Sequence, residues 1–236
     1  MLYSDKFSFK RISKVARYVI FDFDGPLCAS THSNNLIHIR QENEAFQSNS
    51  QYSIKSMQEY HRTFAHYDLS EEQWYSKILA TREFNRQMLG HPITLHTGIL
   101  DGLARLKQEN QDRFAIVSNA SEQEYLHKLL TRELLWNNST ESSSLFDKVF
   151  GIETHYSKAR KIEMVCESWG VSASQVVYVT DTLADYHAVS PVLARKNIIG
   201  VIYGVHDYQE LYNNGQGIPD YNILRDPELL LHYLTI

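Results

Sequence analysis

Short, nearly continuous apolar runs recur along the chain, separated by longer stretches with helical spacing. This is the pattern of buried parallel strands wound between helices. The clearest runs are Tyr18-Val19-Ile20-Phe21, Arg113-Phe114-Ala115-Ile116-Val117 and Val176-Val177-Tyr178-Val179-Thr180, with a shorter piece from Phe146 to Phe150. The stretch from Thr97 to Leu106 places Ile99, Leu103 and Leu106 on one helical face and leads into the Phe114 run. A helix over 158–169 stops at Gly170, a residue suited to a left-handed cap. The order predicts an α/β fold with a doubly wound parallel sheet.

From Cys28 to about Pro92 the strand-like runs disappear. Aromatic and apolar residues there recur at helical spacing, as in Tyr60, Phe64 and Tyr67, then Trp74, Ile78 and Leu79. Ser70 with Gln73 opens one helix by the capping-box pattern, and Gly90 with Pro92 closes it. Residues 28–92 therefore read as a helical insertion, either a cap over a site or a buttress to the sheet. Residues 1–27 and 93–236 are left as the core. Residues 1–17 read as a leader anchored by Phe7 and Phe9, and Asn137 to Ser144 as a surface loop.

Composition narrows the class. Hydrophobic residues at 43% and charged residues at 22% describe an ordinary globular chain, and a net charge of -5 argues against nucleic acid as a partner. The first apolar run is too short, and too soon broken by Asp22 and Asp24, to span a membrane. Cys28 and Cys166 are far apart and outside any metal-binding spacing, which suits a reducing cytoplasm. The eleven histidines form no ligand pair with a Glu; His155, three residues before Lys158, is the one placed to touch a substrate or orient that lysine.

The candidate chemistry lies where the runs end. The first run delivers Asp22 and Asp24 into a glycine turn, and period-two alternation places them on the same side. Two anions that close call for a cation between them. The second run stops at Ser118-Asn119-Ala120, and Ser121 with Glu124 forms a capping box, so that the Ser118 hydroxyl and nearby N–H groups can face an anion together. Lys158 and Lys161 lie at the start of the next helix, and Val176–Thr180 runs into Asp181 and Asp185.

The ordered set D-x-D-G, S-N, K, D-x-x-x-D from Asp22 to Asp185 resembles the haloacid dehalogenase superfamily, in its phosphatase branch with a helical cap, phosphoglycolate phosphatase-like. Ile199 to Gly204 and Asp220 to Leu224 look like that fold's last two strands, and Asp226-Pro227 starts its terminal helix. One departure is Pro26, where a Thr is usual; the supporting hydroxyl is lost and the turn is stiffened.

The resemblance implies a Rossmann-like core and a hydrolase acting on a small phosphorylated metabolite with Mg2+. Asp22 becomes an aspartyl phosphate, and Asp24 serves as general acid and then base. Mg2+ is held by Asp22, the Asp24 carbonyl and Asp181, with Asp185 as ligand or as a holder behind the ligands. Lys158, Ser118 and the Asn119 N–H bind the phosphate. Lys161, nearly a turn further in and placed to face solvent, is the runner-up for the lysine. A carboxylate at Asp24 sets this pattern apart from the dehalogenases. The alternatives are a phosphosugar mutase on the same fold and a non-catalytic phosphometabolite-binding protein. Arg82 and Arg86, four apart, would bind a second acidic group of the substrate or form a solvated basic face. Trp74 and Tyr75 read as cap core.

Overall fold

The structure is a computed structural model that describes residues 18–29, 70–90, 93–133 and 144–235. Tyr60, Phe64, Tyr67, Phe7, Phe9, Pro92 and most of the Asn137–Ser144 loop fall outside them. The strands are β1 (Tyr18–Phe21), β2 (Cys28–Ala29), β3 (Thr94–Leu95), β4 (Arg113–Val117), β5 (Lys148–Phe150), β6 (Val176–Thr180), β7 (Ile198–Val201) and β8 (Ile223–Leu224). The helices are α1 (Glu71–Met88), α2 (Thr97–Asn110), α3 (His127–Arg132), α4 (Lys158–Trp169), α5 (Leu183–Val189), α6 (Tyr208–Tyr212) and α7 (Pro227–Thr235). A wide turn over Glu122–Leu126 runs directly into α3.

Six strands form one sheet in the order β5-β4-β1-β6-β7-β8, and every pair in it is parallel. Sequence order reverses at β1, whose two neighbours are β4 and β6, and ligands of open α/β sheets bind at the carboxyl ends of strands beside such a switch. β1 is buried on both faces, so its residues divide between two cores. Val19 and Phe21 join one with Phe114, Ile116, Ile99 and Leu103. Ile20 joins the other with Ala115, Tyr178, Ile162 and Val165.

β2 and β3 form a separate two-stranded antiparallel ribbon, with Cys28 opposite Leu95 and Ala29 opposite Thr94. This ribbon brings residues 28–29 beside residues 94–95. α1 begins at Ser70 with the expected capping box and ends at Met88. Its carboxyl-terminal half is anchored on the α/β core, because Phe84 and Met88 pack in the same apolar cluster as Phe23, Leu27, Tyr125 and Leu126. α4 ends at Gly170 in the left-handed conformation, φ 67°. The start of α7 is capped by Asp226 Oδ1, which accepts the Leu229 N–H at 2.8 Å.

Candidate active site

β1 closes its ladder where Asp22 N–H donates to Val179 O, 2.8 Å away. The strand proper ends at Phe21, so alternation along it does not set the directions of the two carboxylates; the turn does. In that turn the Leu27 and Cys28 N–H groups both donate to Phe23 O, and Gly25 takes φ +93°, which only glycine adopts without strain. Pro26 lies in the turn, its carbonyl 3.5 Å from the Tyr203 hydroxyl.

Asp22 is buried. Its Oδ1 accepts the Phe23 N–H at 2.9 Å, and its Oδ2 stands 3.1 Å from Lys158 Nζ. Burial pushes its carboxyl well above the usual range; Lys158 opposes that shift, while Asp185 and Asp181 add to it. Lys158 Nζ lies 2.5 Å from Asp185 Oδ2, an oxygen that also accepts from the Thr180 hydroxyl at 2.9 Å and the Tyr178 hydroxyl at 3.3 Å. Burial alone would lower the ammonium, but Asp185 and Asp22 raise it. The lysine therefore remains a cation between two carboxylates.

Asp181, at the end of β6, accepts the Val205 N–H on Oδ2 at 2.7 Å. Its Oδ1 is buried with no hydrogen-bond partner among the described residues, and burial raises its carboxyl to about 7. Gly25 and Gly204 both lie flush on it: a Cβ on either would come within 2.1 and 2.3 Å of Asp181 Oδ2. An unpartnered carboxylate oxygen near a second buried carboxylate is a donor set that suits a hard divalent cation. Among the described residues no three His, Cys, Asp or Glu side chains cluster as a ready-made metal site. Mg2+ is usually held by one or two carboxylates, with water and phosphate oxygens completing its shell.

Asp24 finds different partners. Its Oδ1 accepts from the Tyr125 hydroxyl at 2.9 Å and from the Cys28 thiol at 3.3 Å. Ser118, at the end of β4, is buried; its N–H donates to Phe150 O and its Oγ accepts from the Ala120 N–H at 3.1 Å. Asn119, beside it, is exposed.

Several expectations are corrected here. Lys161 does not face solvent: it is fully buried, because two lysines three apart on one helix share a face. Its Nζ donates to Ser118 O at 2.5 Å and Gly151 O at 3.1 Å, with Asn119 Oδ1 at 3.4 Å. Burial and the neighbouring Lys158 lower its ammonium to about 7. The helix start after Asn119 is not open to an anion either. The Ser121 N–H is taken by Asn85 Oδ1 at 2.6 Å, the Glu122 N–H by Glu153 Oε2 at 2.7 Å and the Glu124 N–H by Ser121 Oγ at 3.1 Å. Only half of the expected capping box forms, since Glu124 turns to Lys128. His155 does not orient Lys158; its Nδ1 accepts the Ser157 N–H at 2.9 Å and its ring stacks on Tyr156.

α1 supplies residues that composition could not place. Trp74 Nε1 donates to Ile152 O at 2.8 Å, so Trp74 joins α1 to the loop after β5, and Tyr75 is exposed and fills no cap core. Arg82 is half-buried and already paired. It pairs with Glu153 Oε1 at 3.0 Å and Gln123 Oε1 at 3.1 Å. Arg86 pairs with Glu83 and, at 3.6 Å, Glu124. Tyr125, Tyr178 and Thr180 were missed as site residues because each reads, in the sequence, as an ordinary core position.

A Rossmann-like sheet with this buried carboxylate and lysine arrangement at its switch point defines the class, and the chain belongs to the haloacid dehalogenase-like hydrolases, whose family model matches residues 19–191. Among solved structures it is similar to a "predicted phosphatase" from Clostridium acetobutylicum, with TM-score 0.65, 17% identity and coverage of 94% of this chain and 99% of the other. A "predicted phosphoglycolate phosphatase" from Haemophilus somnus 129pt gives TM-score 0.57, 18% identity and coverage of 92% and 96%. CbbY from Rhodobacter sphaeroides, solved in complex with phosphate, gives 0.57, 18%, 94% and 100%. At these identities the likeness is one of fold. No curated protein matches the sequence.

Proposed function

We propose that this hydrolase is a Mg2+-dependent phosphomonoesterase of the cytoplasm, acting on a small phosphorylated metabolite through an aspartyl phosphate on Asp22. The observation that carries the reading is Lys158, buried at 3.1 Å from Asp22 Oδ2 and secured from behind by Asp185 at 2.5 Å. A carboxylate attacking a phosphate dianion needs fixed positive charge beside the forming bond, and a buried lysine supplies it with no reorganisation at the moment of reaction.

In the first half-reaction Asp22 Oδ2 attacks phosphorus while Asp24 gives a proton to the departing oxygen. In the second, Asp24 takes a proton from the water that attacks the aspartyl phosphate. Ser118 and the Asn119 N–H hold the phosphoryl oxygens beside Lys158, and Lys161, donating to Ser118 O, keeps that loop in place. Asp22, Asp181 and the Asp24 carbonyl are the residues that would hold Mg2+, with Asp185 behind them as the partner of Lys158. Bound there, the ion would offset the negative charge shared by nucleophile and phosphate. Residues 28–92 serve as the cap over this site, where closure would exclude water. The name of the Haemophilus somnus structure and the phosphate bound in CbbY support phosphate as the group transferred.

The test is phosphate release from p-nitrophenyl phosphate with and without Mg2+, followed by a screen of phosphorylated metabolites. Magnesium-dependent release is expected. A purified, folded chain that releases no phosphate from any ester would overturn the reading.

A further inference from the structure

We infer that Tyr125 is a positioning residue for Asp24: its phenol, together with the Cys28 thiol, fixes one carboxylate oxygen so that the other exchanges the proton with substrate and water. The inference rests on the phosphatase reading and deepens it. Asp24 Oδ1 accepts from both donors, at 2.9 Å from Tyr125 and 3.3 Å from Cys28. An oxygen with two lone pairs that accepts two hydrogen bonds has no room for a proton of its own unless a donor is displaced. The transferable proton is thereby assigned to Oδ2.

Both donors are enclosed in the core. Tyr125 is 3% exposed and Cys28 is fully buried, and the Tyr125 ring meets Phe23 edge-on, with centroids 5.7 Å apart and planes at 87°. A phenylalanine would fill the same apolar space beside Phe23, Leu27 and Leu126. Packing therefore does not call for the hydroxyl, and a buried hydroxyl is costly unless it is paired. Tyr125 comes from the turn after β4 and Asp24 from the turn after β1, so the bond also sets the distance between the loop bearing Ser118 and the loop bearing the nucleophile.

The step balances. As Asp22 Oδ2 forms its bond to phosphorus and the ester P–O bond breaks, the Oδ2 proton of Asp24 passes to the leaving oxygen. As water then attacks and the Asp22–phosphorus bond breaks, Asp24 Oδ2 takes a proton from that water. Oδ1 keeps both its hydrogen bonds throughout.

Tyr125→Phe in the full chain tests this by leaving-group dependence. An alkyl phosphate needs its leaving oxygen protonated, whereas p-nitrophenolate departs with little help. A hydrogen bond to a charged group contributes about 1.5–3 kcal/mol. The variant should therefore lose about ten-fold or more in kcat/KM on the best alkyl phosphate from the screen, and less than about three-fold on p-nitrophenyl phosphate. Equal losses on both esters would reveal a merely structural role and overturn the inference, as would no loss on either. Should Tyr125→Phe fail to fold, Cys28→Ala removes the second donor on the same oxygen and is read in the same way. A wild-type chain inactive on every ester defeats the phosphatase reading and this inference with it. An active wild type with the wrong ratio defeats the inference alone.

Discussion

Lys158 Nζ and Asp185 Oδ2 lie 2.5 Å apart, with the two side chains only 4% and 5% exposed. Removing one member of a buried ion pair strands the other, at a cost of about 3–5 kcal/mol. Because Asp22 also faces the lysine, Asp185→Ala should sit at the low end, about 3 kcal/mol, in urea unfolding. The double variant Asp185→Ala/Lys158→Met should recover part of the loss. A single variant within about 0.5 kcal/mol of wild type, the range of ordinary surface changes, would mean that the pair is not an enclosed one.

Asp22→Asn should abolish turnover while leaving the fold intact, since an amide fills the volume of the carboxylate but is a poor nucleophile. General acid–base groups alone typically contribute 10²–10⁴-fold. Retention of more than about a hundredth of the wild-type rate would therefore count against a covalent intermediate. Circular dichroism and the unfolding midpoint serve as the fold control.

Phosphate release should need Mg2+ and be suppressed by Ca2+, which takes more ligands in looser geometry and readily binds both oxygens of one carboxylate. Gly204→Ala should weaken the response to Mg2+, because its Cβ would come within 2.3 Å of Asp181 Oδ2 and the carboxylate must give way. Titration of the rate against Mg2+ checks both. Equal rates in the two metals, or an unchanged Mg2+ titration in Gly204→Ala, would remove Asp181 from the site.

Lys161 makes stability depend on pH in a known direction. Burial and Lys158 lower its folded pKa to about 7 from 10.5, so between those values the unfolded chain binds more protons than the folded one. Its contribution makes the native state more stable as pH rises through that window, by up to about 1.4 kcal/mol per pH unit. The gain is complete above the unfolded value and absent below the folded one. Unfolding free energies from pH 7 to 10 should therefore rise more steeply for wild type than for Lys161→Met, which cannot titrate. Parallel curves would mean that Lys161 keeps an ordinary pKa.

Asn85 ties α1 to the loop after β4 by accepting the buried Ser121 N–H at 2.6 Å. Asn85→Ala should cost about 1–3 kcal/mol, the penalty of leaving a buried donor unpaired, and hydrogen exchange should quicken at Ser121 and Glu122. Wild-type stability in Asn85→Ala would indicate that α1 is a loosely attached appendage.

The sheet was legible in the sequence because its central strands are buried on both faces and so are apolar along most of their length, as residues 176–179 and 114–117 are. Helix ends were legible for a local reason: Ser70 with Gln73, Gly170 and Asp226-Pro227 satisfy or release backbone groups within a few residues of themselves. Asp22 and Asp181 stood out because charged residues at the ends of apolar runs have no packing reason to be there, whereas Lys158, by itself an ordinary solvated charge, stood out only by its place in the ordered set.

What the sequence could not decide was direction and partnership across long separations. Lys161 looked solvated because a charge is costly to bury, and only the carbonyls of Ser118 and Gly151, brought in by β4 and β5, make its burial tolerable. Arg82 looked free until Glu153 met it from another loop. Nothing in the sequence marks out Tyr125, yet its hydroxyl meets Asp24 across 101 residues of chain. Local propensity and periodicity depend on neighbours along the chain and therefore survive in the sequence. A hydrogen bond between two loops depends on where a folded sheet puts their ends, and only the tertiary structure decided that.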